Sequence, residues 1–562
     1  MRRADHSLSP GIRCSAARIL SHGALLLAVA LAGGAAIAQD DVAEALRTRI
    51  EQLRRGQEVS VVGARIASRS LVPEFYERRG LRPAWSRPEQ ARALLELIEA
   101  SGAHGLEPAD YHAAALRRLA DVPAGAAGIA DRELVFTDAL VRLAYHLHFG
   151  KANPRELYPG WSFTRSLGAI DPPNALEAML AAPRLEDALG RFAPQLPAYQ
   201  RLREALAGLR AIEARGGWRQ LPRAPSLKPG MRDARVAALR ERLAASGDLA
   251  PGVIAEAEYF DAMLEAALRR FQARHGLAAD GAAGPRTLQA LNVTVGERID
   301  QVRVNLERLR WVAQDLAGDY LIVDIAGFTA QLFLDGRLAW SSRTVVGRPY
   351  RKTPVFRATL RYLVLNPTWT VPPTILRQDV LPKLARDPGY LARNHMRIVD
   401  ASGDAVDAAH LDSIRYRADG FPYQIVQAPG EDNALGRIKF MLPNPHTVYL
   451  HDTPSRRLFE RAERAFSSGC IRLERPLELA ELLLDDAGRW SAAAIREAIA
   501  SGETRTVPVK RQVPVMILYF TAQGDADGGV RFNPDLYHRD ARVVAALRAP
   551  FRFAPVDRRR AR

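Results

Sequence analysis

Residues 447–473 read TVYLHDTPSRRLFERAERAFSSGCIRL. At its start Thr447, Tyr449 and His451 alternate with Val448 and Leu450, the pattern of a strand with a polar front and an apolar back. At its end Cys470 and Arg472 alternate with Ile471 and Leu473 in the same way. Two short strands of one sheet are predicted, with room for a loop or a short helix between them. Their polar fronts carry a histidine and a cysteine. A thiol is mostly protonated at neutral pH, so a reactive cysteine needs a base or a positive charge nearby, and His451 is the candidate base for Cys470. Gly469 allows close approach of the backbone and can aim its amide hydrogen, with that of Cys470, at an oxyanion. Arg472, on the face of the thiol, is placed to hold a carboxylate, to stabilise a thiolate or to make a structural salt bridge. Ser467 and Ser468 either orient this turn or form an ordinary polar loop. Ser468 is also a candidate for substrate binding, and Tyr449, and Trp369 in NPTWTVPP, are candidates for a substrate-cleft wall or for the core. Asp452 is turned away by the alternation, leaving a backbone carbonyl to orient His451.

The chain has 562 residues, two cysteines and a formal net charge of +16. Arg2, Arg3, Arg13 and Arg18 precede the uncharged run ALLLAVALA (24–32) and the small-residue site AIA ending at Ala38, the pattern of a secretory signal peptide over residues 1–38. A retained anchor is the alternative. Export would remove Cys14 and leave Cys470 as a single thiol in an oxidising compartment, paired with another chain, reactive, or buried and inert. A cysteine-based zinc site is excluded by count. His146 and His148, in HLHFG, point to different faces of a helix, and GDADGG near Gly524 lacks the further ligands of a calcium loop and reads as a hairpin turn. No metal site and no cofactor are expected. The positive charge comes without a nucleic-acid-binding motif and reads either as a merely solvated surface or as meeting an anionic envelope polymer or membrane surface, with no nucleic acid and no stable membrane span expected.

Working outward, residues 39–220 show helical periodicity, as in ARALLELIEA, where Leu94, Leu95 and Ile98 share a face. The linker LPRAPSLKPG (221–230) opens a unit spanning 225–293 with apolar stripes Val236–Leu239–Leu243 and Leu264–Leu268–Phe271. Asp261 is the expected N-cap of the second stripe, Gly276 its stop, and Pro285 the first-turn proline of a third helix. A connecting helix is expected over 294–318 around VRVNLERLRW. From 319 to 543, strand-like runs (YLIVDI, AQLFLDGRLAW, RYLVLNPTW, TVYLH) predict a mainly β domain. It is interrupted at about 371–440 by an insertion containing the helical, proline-bounded run PPTILRQDVLPKLARDPGYLARNHM. A basic tail follows over 544–562. The predicted fold class is α+β and multidomain: a helical scaffold region, a three-helix bundle, and a mainly β domain with a helical insertion.

Two segments carry a resemblance. FQARHGLAADGAAGPRTLQALN, with its turn at Asp280, Gly281, Gly284 and Thr287, resembles the peptidoglycan-binding domain of cell-wall enzymes. His451 followed by Ser467, Ser468, Gly469, Cys470, Ile471 and Arg472 resembles the signature of the L,D-transpeptidase family (YkuD-like catalytic domain). The family often has histidine where this chain has Ser468, so no role for that side chain is carried over. FYERRGLRPAW and SGAHGLEPADYH extend the likeness to the large multidomain members of Gram-negative envelopes. The resemblance implies a sandwich-like catalytic domain whose insertion caps the cleft, and a periplasmic location. It also implies an acyl transfer, in which Cys470 attacks the L-centre carbonyl of diaminopimelate in a peptidoglycan stem tetrapeptide and releases D-alanine. His451 would handle the protons. An amine of a second stem would take the acyl group to give a 3-3 cross-link, and carbapenems would acylate the same thiol. Alternatives are an L,D-carboxypeptidase or murein cysteine hydrolase with water as acceptor, and a non-catalytic wall-binding scaffold. Wall synthases or carboxypeptidases are the possible protein partners.

Overall fold

A computed structural model describes residues 39–121, 125–222, 224–250, 256–407, 420–525 and 529–557. The expected signal peptide lies outside the described residues, as does the end of the basic tail. The described residues divide into two compact units, one made of those within 39–101, 107–145 and 168–192, the other of those within 102–106, 146–167 and 193–557.

The first unit is built of helices, including 39–54, Leu71–Arg78, Pro88–Glu99 and Pro172–Ala181. Leu94 and Ile98 are fully buried, as their spacing predicts, while Leu95 sits at the rim of that face. The buried carboxylate of Glu133 accepts from the Ala84 amide at 2.6 Å, the Trp85 amide at 2.9 Å and the Tyr76 hydroxyl at 2.8 Å. Burial raises its proton affinity and those three donors oppose the rise. The FYERRGLRPAW stretch is thereby folded around one acid.

In the second unit the three-helix bundle is formed by α1 (Arg235–Ala245), α2 (Ala262–Arg274) and α3 (Pro285–Leu291). All six residues of the two predicted stripes are fully buried. Asp261 caps α2 by accepting from the Leu264 amide at 2.8 Å, and Pro285 opens α3. The turn between α2 and α3 is held by a residue that the sequence does not single out. Buried Gln272 donates to Asp280 Oδ1 (2.7 Å), the Ala282 carbonyl (2.9 Å) and Thr287 Oγ1 (3.1 Å), and accepts from the Gly281 amide (2.9 Å). Gly281 adopts φ +77°, which explains glycine there.

The connecting helix α4 (Val295–Val312) begins with a capping box between Thr294 and Glu297. It is no exposed strut: residues 302–312 are all buried, including Glu307, Arg308 and Arg310. Their charges are matched within this unit, Arg310 by Glu307 at 2.6 Å and Arg308 by Asp540 at 2.7 Å. Asp540 belongs to helix Asp540–Arg548, into which the segment read as a basic tail extends, and Val543 and Leu547 of that helix are buried.

The β domain holds an eleven-stranded curled sheet. Its strands are β1 (Tyr320–Asp324), β2 (Thr329–Leu334), β3 (Arg337–Gly347), β4 (Phe356–Thr359), β5 (Tyr362–Leu365), β6 (Ile438–Met441), β7 (Leu450–His451), β8 (Ala465–Ser467), β9 (Ile471–Leu473), β10 (Arg505–Pro508) and β11 (Pro514–Leu518). The order is β10-β5-β6-β7-β9-β3-β2-β1-β11-β4, with β8 also on β3. Long β3 joins the two halves of the fold. Asp335 and Gly336 at φ +49° and +73° make the tight turn before it.

The insertion is richer than its helical run predicts. It has helices within 373–393, but Trp369–Thr370, Met396–Val399, Ala405–Val406 and Gln424–Gln427 form a separate four-stranded sheet with them. The strands are two to four residues long, too short for alternation to reveal. Val371, Leu376, Val380, Leu381, Ile398 and Ile425 give the insertion a core of its own. The predicted hairpin at GDADGG has its flanking strands, Ala522–Gly524 paired with Val530–Phe532, while residues 526–528 lie outside the described residues.

Candidate active site

Strand register assembles the site. β7 and β9 are parallel, with Leu450 opposite Ile471 and His451 opposite Arg472, which sets Tyr449 beside Cys470. The apolar residues Leu450, Ile471 and Leu473 are fully buried at the back. Tyr449, His451, Cys470 and Arg472 all fall on the front. The strand expected over 447–451 is reduced to its last two residues, because Thr447 takes φ +52°, outside strand geometry. Its carbonyl lies 4.0 Å from Cys470 Sγ.

His451 is buried, and its Nδ1 lies 2.5 Å from the Asp452 carbonyl, an orienting contact that comes from backbone. Asp452's own side chain faces elsewhere, to the Arg437 amide at 2.9 Å and Arg456 at 3.2 Å. Burial first, then the positive charge of Arg472, push the imidazole down to about 3, so His451 is neutral at physiological pH and able to take a proton. Burial pushes the Cys470 thiol above its ordinary range, against a backbone hydrogen bond from Tyr449 and the charges of Lys439 and Arg472. The resting pair is thus neutral thiol and neutral imidazole, and no hydrogen bond joins them in this geometry.

The turn that carries Cys470 is tightly braced. Gly469 has φ +123°, which disfavours any side chain there. Buried Ser467 accepts from the Gly469 amide at 3.1 Å and donates to the Cys470 carbonyl at 2.5 Å. The Gly469 N–H expected to face an oxyanion is therefore engaged by Ser467, because that hydroxyl closes the turn from inside. Thr353 Oγ1 donates to the Gly469 carbonyl at 2.8 Å, and Tyr537 supports Thr353 by accepting from its amide at 3.2 Å. Ser468, exposed, accepts from Arg351 Nη1 at 2.8 Å. The same guanidinium pairs with Asp379 of the insertion and donates to Gln378 Oε1 at 2.7 Å.

Arg472 has no carboxylate partner among the described residues, and its Nε is buried without an acceptor. That removes the structural salt bridge from its possible roles and leaves a cation available to an anion. Trp369 is strand-paired with Gln427 and packed against the insertion's core. His146 is buried and His148 meets Gln314 at 3.0 Å, and no cluster of metal-ligating side chains occurs among the described residues.

One front-face residue is not signalled by any motif. Lys439 of β6 is opposite His451 in the register, and its Nζ lies 4.0 Å from the centroid of the Tyr449 ring. Burial lowers its proton affinity and Cys470 raises it. Only the register reveals it, since IKFM alone reads as a strand with one solvated lysine.

Residues 318–514 match the family model of the L,D-transpeptidase catalytic domain (YkuD), residues 232–291 that of a "Putative peptidoglycan binding domain", and residues 70–206 that of a scaffold domain. A curated protein of Haemophilus influenzae, "Putative L,D-transpeptidase", is 38% identical over 248 residues, which are 44% of this chain and 49% of that protein. The chain spans about half the length of this relative. Among solved structures, an L,D-transpeptidase from Mycobacterium smegmatis is 15% identical, with TM-score 0.18, over 36% of this chain and 59% of the other. One from Xylanimonas cellulosilytica is also 15% identical, with TM-score 0.16, over 53% of this chain and 99% of the other. Likenesses this distant leave the chemistry to the residues of the site.

Proposed function

We propose that this chain, whose residues 318–514 belong to the YkuD family of L,D-transpeptidase catalytic domains, is a cysteine-dependent acyltransferase of the cell wall that makes 3-3 cross-links between peptidoglycan stems. The observation that carries the reading is the front face itself: a partly exposed thiol, a buried neutral imidazole and an unpaired guanidinium on two adjacent parallel strands.

In this reading the Cys470 S–H proton passes to His451 as sulfur attacks the L-centre carbonyl of diaminopimelate in a donor tetrapeptide. The carbonyl π bond opens to an oxyanion. As the C–N bond breaks, His451 returns the proton to the leaving D-alanine nitrogen and a thioester remains. The side-chain amine of an acceptor stem attacks the thioester, gives its proton to His451 and displaces the thiolate, which is reprotonated. Arg472 offers its free guanidinium to a stem carboxylate, of which each donor has several. The Cys470 amide is the remaining backbone donor of the turn for the oxyanion, given that Ser467 holds the Gly469 amide. Tyr449 lines the acyl site next to the thiol, whereas Trp369 contributes through the insertion.

The bundle at 232–291 supports delivery to the polymer, and no helix among the described residues is long and apolar enough to cross a membrane. We take the site of action to be the periplasm, reached through the signal peptide read at 1–38. Purified protein given tetrapeptide muropeptides is expected to yield dimers joined through two diaminopimelates, and Cys470→Ala to yield none. Unchanged dimer formation by that variant would overturn the mechanism. Tripeptides alone, at high acceptor concentration, would assign the chain to the water-accepting reaction instead.

A further inference from the structure

We propose that Lys439 is a positioning residue for the reaction, the fixed cation that favours the Cys470 thiolate against the burial that opposes it. Neither strand that carries the catalytic pair supplies this group. It comes from β6, one strand further along the sheet, through a register that aligns Lys439 with His451 and His451 with Arg472. The neighbouring row of the same face runs Tyr362, Met441, Tyr449, Cys470. The lysine therefore starts in the histidine's row and leans into the cysteine's row, where its ammonium rests on the Tyr449 ring, 4.0 Å from the centroid.

Three features set this ammonium apart from a solvated surface lysine. It is partly buried, with both residues flanking it in the strand, Ile438 and Phe440, at the back of the sheet in the core. It has no carboxylate or carbonyl partner among the described residues, so its charge is not spent on a structural bridge. Its interaction with the thiol is reciprocal: Cys470 draws Lys439 toward the charged form, and Lys439 draws Cys470 toward the thiolate. Tyr362 and Tyr449, His451, Arg472 and, beyond it, Arg348 complete the titratable and charged groups around the site.

The need for such a cation follows from the state of the histidine. A cysteine paired with an imidazolium is stabilised as thiolate by that charge. Here the imidazole is held neutral by burial and by Arg472, so the resting thiol receives no such help from His451. Lys439, with a compact charge on a long stem, restores part of what burial takes away.

The proposal rests on Cys470 as nucleophile, but its test needs no peptidoglycan and so stands apart from the acceptor chemistry. Iodoacetamide, a neutral probe, reacts with the thiolate: the S–C bond forms, the C–I bond breaks and iodide leaves. The rate of alkylation in the full chain, followed from pH 6 to 10 by the mass of the peptide that carries Cys470 so that Cys14 is not counted, tracks the thiolate population. Lys439→Met is expected to shift this pH–rate profile up by about one unit and to slow alkylation about tenfold at pH 7. Lys439→Arg, which keeps the charge, is expected to stay within about threefold of the parent at pH 7, a shift of about half a unit. If Lys439→Met fails to fold by thermal melting, Lys439→Gln, which keeps a polar tip, takes its place. A neutral variant whose pH profile superimposes on that of the parent overturns the proposal. So does an arginine variant slowed as far as the neutral one, because that identifies packing and not charge.

Discussion

Three polar side chains at the site have been given different electrostatic jobs by their surroundings. Burial drives His451 down and Cys470 up, so both are uncharged, while Arg472 is left as a cation with no carboxylate partner among the described residues. His451 has a measurable consequence for stability. Its folded value of about 3 lies below the ordinary value of 6.5, so its contribution is intact above pH 6.5 and is lost as pH falls toward 3. Each pH unit crossed in that window costs at most about 1.4 kcal/mol. His451→Gln removes this term, so the variant's melting temperature is expected to gain on the parent's between pH 7 and pH 4. A difference that stays constant over that range would show that the imidazole is not held neutral. Ser467→Ala removes both hydrogen bonds inside the nucleophile's turn and is expected to cost about 1–3 kcal/mol by denaturant titration. That Cys470 and His451 fall on one face was legible in the sequence, because strand alternation sets it. Lys439 was not, because a lysine every second residue along a strand is the ordinary mark of a solvated face, and only pairing with β7 shows what it faces.

Elements show the same division. The bundle's stripes, its Asp261 cap and its Pro285 start are local signals and were readable; Gln272 was not, because its four hydrogen bonds reach residues eight to fifteen positions away. The insertion's helices were readable from proline boundaries, whereas its sheet depends on pairing Trp369–Thr370 with a strand more than fifty residues later. Arg351 links that insertion to the nucleophile's turn through Asp379 and Ser468. Asp379→Ala is expected to raise amide exchange across 373–393 and to leave α1–α3 unchanged. Protection that stays the same in the insertion would show that its own core suffices to hold it. In the bundle, Leu239→Ala empties a fully buried position and is expected to cost about 2–5 kcal/mol in a chemical melt.

At the scale of the molecule, the second unit is stitched together by elements far apart in sequence. Helix α4 is buried over most of its length, and its Arg308 is matched by Asp540 from near the end of the chain. Charge composition alone cannot forecast this, since the same arginines counted in the net +16 include several that are internal structural partners. The support of the Gly469 turn by Thr353, and of Thr353 by Tyr537, has a practical bearing on dissection of the chain. The family match stops at residue 514, at the first residue of β11 and twenty-three residues short of Tyr537. A fragment ended there would keep every residue of the recognisable signature yet lose both β11, the strand that pairs β1 with β4, and the outermost prop of the Cys470 turn. The shortest fragment that keeps the Cys470 turn supported is thus longer than the segment that matches the family model.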